Sequence, residues 1–124
     1  MNCYFRTHIS KNSGIGNYIR CLRLALNIKK HGHKITIITD NKIDKFFKKK
    51  NINYIYLYKK KNNKFSELVD ANLFNEKTSI PGYIFIDDYR IGKIWQVEAR
   101  NKHKKIIVID DFLKKKNYAD VIIN

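Results

Sequence analysis

The alternation of short apolar runs with helical segments most strongly constrains the fold of this chain. The apolar runs are rich in isoleucine, valine and phenylalanine and lack the strict polar alternation of a half-exposed strand. Such runs are typical of strands buried on both faces, as in a parallel sheet that carries helices on each side. The prediction is an α/β fold with a single Rossmann-like, doubly wound parallel sheet. The predicted strands are residues 2–7, 34–39, 52–58, 83–87, 105–111 and 120–124.

Helical patterns separate most of these strands. Apolar residues recur on one face from Asn17 to about His31, and Gly32 is a natural stop after that helix. Asp40 is expected to cap a short basic helix that runs to about Lys50. Two more helices are predicted at residues 65–76 and 92–102. The apolar face of the first of these two is assigned to Leu68, Val69, Leu73 and Phe74.

Length and composition fit one domain over residues 1–124, since 44% of the 124 residues are hydrophobic. No apolar run approaches the roughly 20 residues of a membrane-spanning helix, and no signal-peptide core is visible at the N-terminus. A cytoplasmic protein without membrane association is therefore expected. Cys3 and Cys21 lack metal-ligand spacing and are predicted to be reduced, buried thiols.

The chain is strongly basic, with 26 lysine and arginine residues against 11 acidic ones and a formal net charge of +15. The excess is mostly lysine, scattered in runs at residues 48–50, 59–61 and 114–116. Such runs are more often solvated surface than a binding groove, so nucleic acid is an unlikely partner. Attraction to a membrane surface is a weaker alternative still.

Ligands of a doubly wound sheet bind outside the carboxyl ends of its strands, at a switch in strand order. The polar residues that end the predicted strands are therefore expected to gather at one rim. They are Arg6, Thr7, His8, Thr39, Asp40, Asp87, Asp88, Tyr89, Asp110 and Asp111. The two Asp pairs have no further ligands at metal spacing, which favours roles in capping the loops over a metal site. Neither a metal nor a cofactor is predicted.

The loop after the first strand, in "FRTHISKNSGIGNYIRCLRLAL", has the composition of an anion-binding turn. Gly14 and Gly16 permit backbone geometry that aims amides at an anion, and Arg6 and Arg20 could add positive charge. A tight strand-to-helix turn with exposed arginines explains the same residues equally well. Asn17, which follows the second glycine, is also an ordinary helix N-cap residue.

Four segments in order resemble the UDP-2,4-diacetamido-2,4,6-trideoxy-β-L-altropyranose hydrolase family of pseudaminic acid biosynthesis. "FRTH" resembles the family's first strand, which ends in Arg-x-Asp, and "SGIGNYIRCLRLA" its "IGxGHxxRxxxLA". Further on, "IDDYRIGKIW" resembles "VDHYxLDxxWE", and "VIDDF" with "ADVIIN" resembles "xDDxxxxxxxADxxLN". The resemblance extends from the first strand to Asn124.

The family has a GT-B architecture of two Rossmann-like domains, and the chain resembles the N-terminal one. The resemblance implies a nucleotide-sugar substrate, held mainly by a separate C-terminal half, and inverting, metal-independent C–O cleavage at the anomeric carbon. The positions it assigns to substrate binding are Arg6, Gly14, Ile15, Gly16, Arg20, Asp88 and Tyr89.

Three departures bear on activity. Asn17 stands where the family has its catalytic His, His8 where it has the Asp of Arg-x-Asp, and Asp88 where it has another His. A carboxamide can orient water but cannot accept its proton, so weak or absent activity is expected. His8 leaves the first strand at the same rim and could act as the base in its place, or it could be a structural residue. A non-catalytic module that binds a partner or glycan, and the acceptor half of a GT-B glycosyltransferase, are alternative functions.

Overall fold

The computed structural model describes residues 1–9, 14–61, 64–109 and 119–123. Within these ranges six strands form one sheet in the order β3-β2-β1-β4-β5-β6, and every pairing is parallel. The strands are β1 (Asn2–Thr7), β2 (Lys34–Thr39), β3 (Asn53–Tyr56), β4 (Tyr83–Asp87), β5 (Lys105–Ile109) and β6 (Val121–Ile123). The helices are α1 (Gly16–Lys30), α2 (Glu67–Lys77) and α3 (Lys93–Ala99).

The helices cover both faces of the sheet, so the predicted doubly wound α/β fold is confirmed. On one face, Cys3 and Phe5 of β1 pack with Tyr18, Cys21 and other residues of α1. On the other face, Tyr4 of the same strand packs with α2 and α3, where Phe74 and Trp95 are fully buried. Neighbouring residues of β1 thus face opposite cores, which explains why the strand shows no polar face.

Gly82 allows the close approach of two chain segments at the amino end of the sheet. A Cβ atom at this position would collide with the backbone carbonyl oxygen of Asn2 and would lie 2.9 Å from the Tyr4 ring. The Tyr4 hydroxyl donates to the carbonyl oxygen of Ile80 just before it, at 2.7 Å. The segment before β4 therefore lies directly against the start of β1.

The prediction of a short helix between Asp40 and Lys50 is wrong. The structure has turns there, and the Asp40 side chain accepts from Arg6 and Arg90 instead of capping a helix. The Asp44 carboxylate accepts from the backbone N–H of Phe46 at 2.8 Å, which favours a local turn over a helical start.

Other boundaries differ by a few residues. The N-cap position of α1 is Ile15, not Asn17, and β3 and α3 are shorter than predicted. In α2, Leu68 and Val69 are 50% exposed, whereas Asp70 is completely buried. The apolar face assigned to α2 was therefore wrong in its first turn. Asp110 and Asp111 lie outside the described residues, as do residues 112–118 and 124.

The two cysteines agree with a simpler expectation. Cys3 and Cys21 are free and buried, as predicted. Among the described residues, no helix combines the length and apolar character needed to cross a membrane.

Candidate functional site

The carboxyl ends of β1, β2 and β4 bring charged side chains together. Arg6 of β1 bonds to Asp40, which directly follows β2, and Asp40 in turn bonds to Arg90, three residues beyond β4. β1 and β4 are adjacent in the sheet, and the order of strands reverses between them. This pair of strands is the switch point at which doubly wound sheets bind ligands.

Arg6 is completely buried and bonded within the protein. Its guanidinium donates to both carboxylate oxygens of Asp70, at 3.1 and 2.7 Å, to Asp40 at 2.5 Å and to the carbonyl oxygen of Thr7 at 2.8 Å. Burial acts to lower the pKa of Arg6, but the facing carboxylates of Asp70 and Asp40 raise it above its ordinary value. Arg6 is thus part of the wall beneath the rim rather than of its surface.

Asp70 is the centre of this buried network, although nothing in the sequence analysis singled it out. Besides Arg6, it accepts from the Tyr58 hydroxyl and from the indole nitrogen of Trp95, both at 2.8 Å. The proximity of Asp70 also contributes, after burial itself, to raising the pKa of Tyr58 above its ordinary value. The sequence contained one indication that Asp70 is buried, because it lies one helical turn before Phe74 and therefore on the same face of the helix. Acidic residues are usually exposed to solvent, so this position did not predict a buried carboxylate.

Arg90 joins two carboxylates at the surface of the rim. Its guanidinium donates to both oxygens of Asp40, at 2.9 and 2.8 Å, and to both oxygens of Asp88, at 3.0 and 2.7 Å. The same guanidinium lies over the Phe65 ring, 4.2 Å from its centroid. Asp88 is therefore held by Arg90, while its neighbour Tyr89 is 59% exposed.

His8 lies against Asp40 at the same rim. Its Nδ1 atom is 3.6 Å from an Asp40 carboxylate oxygen, too far for a strong hydrogen bond, and this buried nitrogen has no hydrogen-bond partner in the described part of the chain. Burial alone would raise the pKa of Asp40, but His8, Arg90 and Arg6 together hold it well below its usual range. Asp40 is therefore an anion that lies beside the His8 ring without a hydrogen bond to it.

The depressed pKa of Asp40 predicts acid sensitivity. A group whose pKa is lowered by folding contributes stability above its unfolded pKa of about 4 and loses that contribution as the pH falls further. We expect the free energy of unfolding to fall below about pH 4, and to fall less steeply in Asp40→Asn. Urea titrations across this range measure the slope, with Glu76→Gln as the exposed control. Equal slopes in wild type and Asp40→Asn would contradict the ion pairs described.

Residues 14–17, which lead into α1, lie at the surface. Gly14 and Gly16 are exposed, Ile15 and Asn17 are partly exposed, and a Cβ atom at either glycine would meet no atom of the described residues within 4 Å. Gly14 has φ +66°, a left-handed conformation that favours glycine. Among the described residues, Ile15 at the N-cap position provides no side-chain cap, and the first turn of α1 contains no acidic residue. The backbone N–H groups at a helix start and the positive end of the helix dipole favour an anion.

Arg20 connects this helix to the switch point. Its guanidinium donates to both carboxylate oxygens of Asp87, at 2.7 and 2.6 Å, and Asp87 is the last residue of β4. The side chain of Arg20 remains 39% exposed. The N-terminal part of α1 is thereby held beside the end of β4, one strand away from the end of β1.

Two groups of predicted residues emerge. Arg6, His8 and Asp88 belong to the charged network around Asp40, whereas Arg20 is bonded to Asp87 beside the loop of Gly14, Ile15, Gly16 and Asn17. A cleft of about 220 Å³ adjoins the first group, lined in part by Ile9, Asp40 and Phe47. Within the described ranges, no three His, Cys, Asp or Glu side chains are placed to hold a metal ion.

Comparison with known proteins identifies no relative of this chain. No protein-family model matches the chain, and no curated protein or solved structure matches it. The functional assignment therefore depends on the site's own chemistry and on the motif resemblance.

Proposed function

We propose that this chain is the N-terminal, Rossmann-like domain of a UDP-sugar hydrolase of the pseudaminic acid type. In this proposal it works in the cytoplasm on a nucleotide sugar and is weakly active or inactive by itself. The observation that carries it is the start of α1 beside the β1–β4 switch point, where the described residues supply no side-chain cap and leave both glycines exposed. The motif resemblance at Gly14, Gly16 and Arg20 supports the same location.

The geometry of the loop suits a sugar diphosphate. The exposed glycines let a phosphate approach the backbone closely, and the first turn of α1 supplies N–H donors that no side chain of the described residues caps. Asp87 holds Arg20 beside this loop, where a guanidinium adds positive charge. A C-terminal GT-B-type half would hold the uridine.

The proposed reaction is attack of water on the anomeric carbon with departure of UDP. The new bond joins the water oxygen to that carbon, the bond to the diphosphate oxygen breaks, and a base takes the proton of the water. Asn17, in the first turn of α1, can orient the water through its amide but has no basicity for the last step. His8, whose Nδ1 atom lies 3.6 Å from an Asp40 carboxylate oxygen, is the other group available as a base.

Binding without turnover is the second candidate function. Asn17 favours it, because loss of a general base costs typically about 10² to 10⁴-fold in rate. In that case the domain is a non-catalytic partner or glycan-binding module, and restoring a histidine at Asn17 gives no hydrolysis.

A charge placed at Gly16 tests the proposed binding site. We expect UDP-N-acetylglucosamine to shift the amide NMR signals of Gly14, Gly16 and Asn17, and Gly16→Glu to weaken this binding by at least about tenfold, since its carboxylate repels the diphosphate. The described residues leave space at Gly16 for the larger side chain, and an acid at a helix start does not destabilise the helix. Gly16→Gln is the matched neutral control.

Two results would contradict the proposal. One is the absence of shifts in the loop at saturating nucleotide sugar. The other is an equal loss of binding in Gly16→Glu and Gly16→Gln, which would indicate steric obstruction rather than an anion site.

A further inference from the structure

The turn between β2 and β3 displays an aromatic ring among lysines. We define the lysine loop as residues 41–50, which contain five lysines and one acidic residue, Asp44. Phe46 is 86% exposed, more than any other large hydrophobic residue in the described ranges. The exposed lysines of this loop are Lys42, Lys45, Lys48, Lys49 and Lys50.

The lysine loop is held in place by specific contacts. The Tyr18 hydroxyl of α1 donates to the carbonyl oxygen of Phe47 at 2.5 Å, and the Tyr54 hydroxyl accepts from the backbone N–H of Lys49 at 3.0 Å. Lys48 lies over the rings of Tyr54 and Tyr56. Asp44 accepts from the N–H of Phe46 and, through its carbonyl oxygen, from that of Phe47. The exposure of Phe46 is therefore built into the turn.

Further positive charge adjoins the lysine loop. Lys59, Lys60 and Lys61 are exposed, and Lys61 lines the same cleft as Lys42 and Phe47. Residues 41–61 contain eight lysines and a single acid, a net charge of 8 − 1 = +7. Almost half of the formal net charge of the chain, which is +15, thus belongs to residues 41–61, the segment that carries the exposed Phe46 ring.

We propose that the lysine loop docks on an anionic lipid bilayer, with the Phe46 ring inserted at the headgroup level. An exposed aromatic residue surrounded by lysines combines the two attractions that hold proteins on such surfaces, namely apolar burial and charge. Lysine side chains place their ammonium groups among the lipid phosphates while their stems lie beside the ring. From the sequence, the lysine runs alone gave little reason to expect a membrane surface as the partner. The exposure of Phe46, which adds the apolar contribution, is visible only in the structure.

A nucleic acid is a less suitable partner for the lysine loop than an anionic lipid surface. The cations of the lysine loop are all lysines, whereas planar arginines are preferred for bidentate recognition of phosphates and for stacking on bases. The Phe46 ring is packed edge-to-face with Phe47, at 88° between the planes, and it projects outward rather than lining a groove along a strand.

Vesicle co-sedimentation tests the proposal with matched variants. The wild-type chain should bind vesicles of phosphatidylcholine with phosphatidylserine, and not vesicles of phosphatidylcholine alone. Phe46→Ser and Lys45→Glu should each weaken that binding by about tenfold. Ile94→Ser and Lys104→Glu, which change an exposed apolar residue and an exposed lysine outside the lysine loop, should bind like wild type.

Fluorescence measures the insertion itself. Trp95 is fully buried, so a tryptophan placed at residue 46 is the only indole exposed to lipid. The emission of Phe46→Trp should shift to the blue with anionic vesicles, and that of Ile94→Trp should not.

Three results would overturn the proposal. The first is no binding to anionic vesicles at low salt, and the second is unchanged binding in Phe46→Ser. The third is tighter binding to a single-stranded oligonucleotide than to vesicles, lost in Phe46→Ser, which would make the loop a nucleic-acid surface.

Discussion

The Arg6→Met variant should lose about 3–5 kcal/mol of unfolding free energy, the cost typical of breaking a buried ion pair. Arg6 is completely buried, and its removal leaves the equally buried Asp70 without its bidentate partner. A loss of this size is a large part of the 5–15 kcal/mol that usually stabilises a domain, so the variant should be only marginally folded. Urea unfolding followed by the fluorescence of Trp95, which is bonded to Asp70, measures the change.

Two further variants make this result interpretable. Arg23→Met removes an exposed arginine of α1 and should change the unfolding free energy by no more than about 0.5 kcal/mol. Asp70→Asn should also destabilise the chain, since it removes the charge that Arg6 faces. Its combination with Arg6→Met should cost less than the sum of the single changes. If Arg6→Met and Arg23→Met had the same free energy of unfolding, the buried ion pair between Arg6 and Asp70 would not contribute to stability as described.

The Asn17→His variant should release UDP from a UDP-sugar about 10² to 10⁴-fold faster than wild type, the usual contribution of a general base. The measurement requires a C-terminal GT-B-type half shown to associate with this chain, and a neighbouring reading frame that encodes a Rossmann-like domain is the first candidate. The rate should rise with pH as the new imidazole loses its proton, because only the neutral ring accepts one from water.

Asn17→Gln is the control, because it changes the side chain but retains the amide. Its rate of UDP release should not exceed that of the wild type. His8→Asn in the wild-type background tests the other base, and it should abolish any residual hydrolysis. If the two halves associate and Asn17→His still produces no gain, the inherited hydrolytic mechanism is contradicted and the binding module is favoured.

The sheet was predictable because its strands are encoded locally. Apart from Lys34 and Asp87 at their ends, runs such as "KITIIT" and "YIFID" consist of β-branched or aromatic residues, a composition typical of parallel strands buried on both faces. The order of the strands then brings Arg6, Asp40 and Asp87 to the same end of the sheet. The positions of these strand ends followed from topology, but their hydrogen-bond partners did not.

The partners depend on contacts between segments far apart in the chain. Asp70 is separated from Arg6 by 64 residues and is buried only because Arg6, Tyr58 and Trp95 satisfy its carboxylate. The helical spacing of apolar residues, which is a local pattern, predicts that Leu68 and Val69 face the core. This prediction is wrong, because both side chains are 50% exposed. In the same way, the basic segment after Asp40 has helical composition, but Asp44 and the Tyr18 hydroxyl stabilise a turn instead.

The position of a bound nucleotide sugar shows whether the start of α1 holds a diphosphate. Crystals of the protein soaked with UDP-N-acetylglucosamine should show diphosphate density beside the backbone of Gly14, Gly16 and Asn17 at the start of α1. Density elsewhere on the chain, or none at a concentration that saturates the protein in solution, would exclude a diphosphate site at the start of α1.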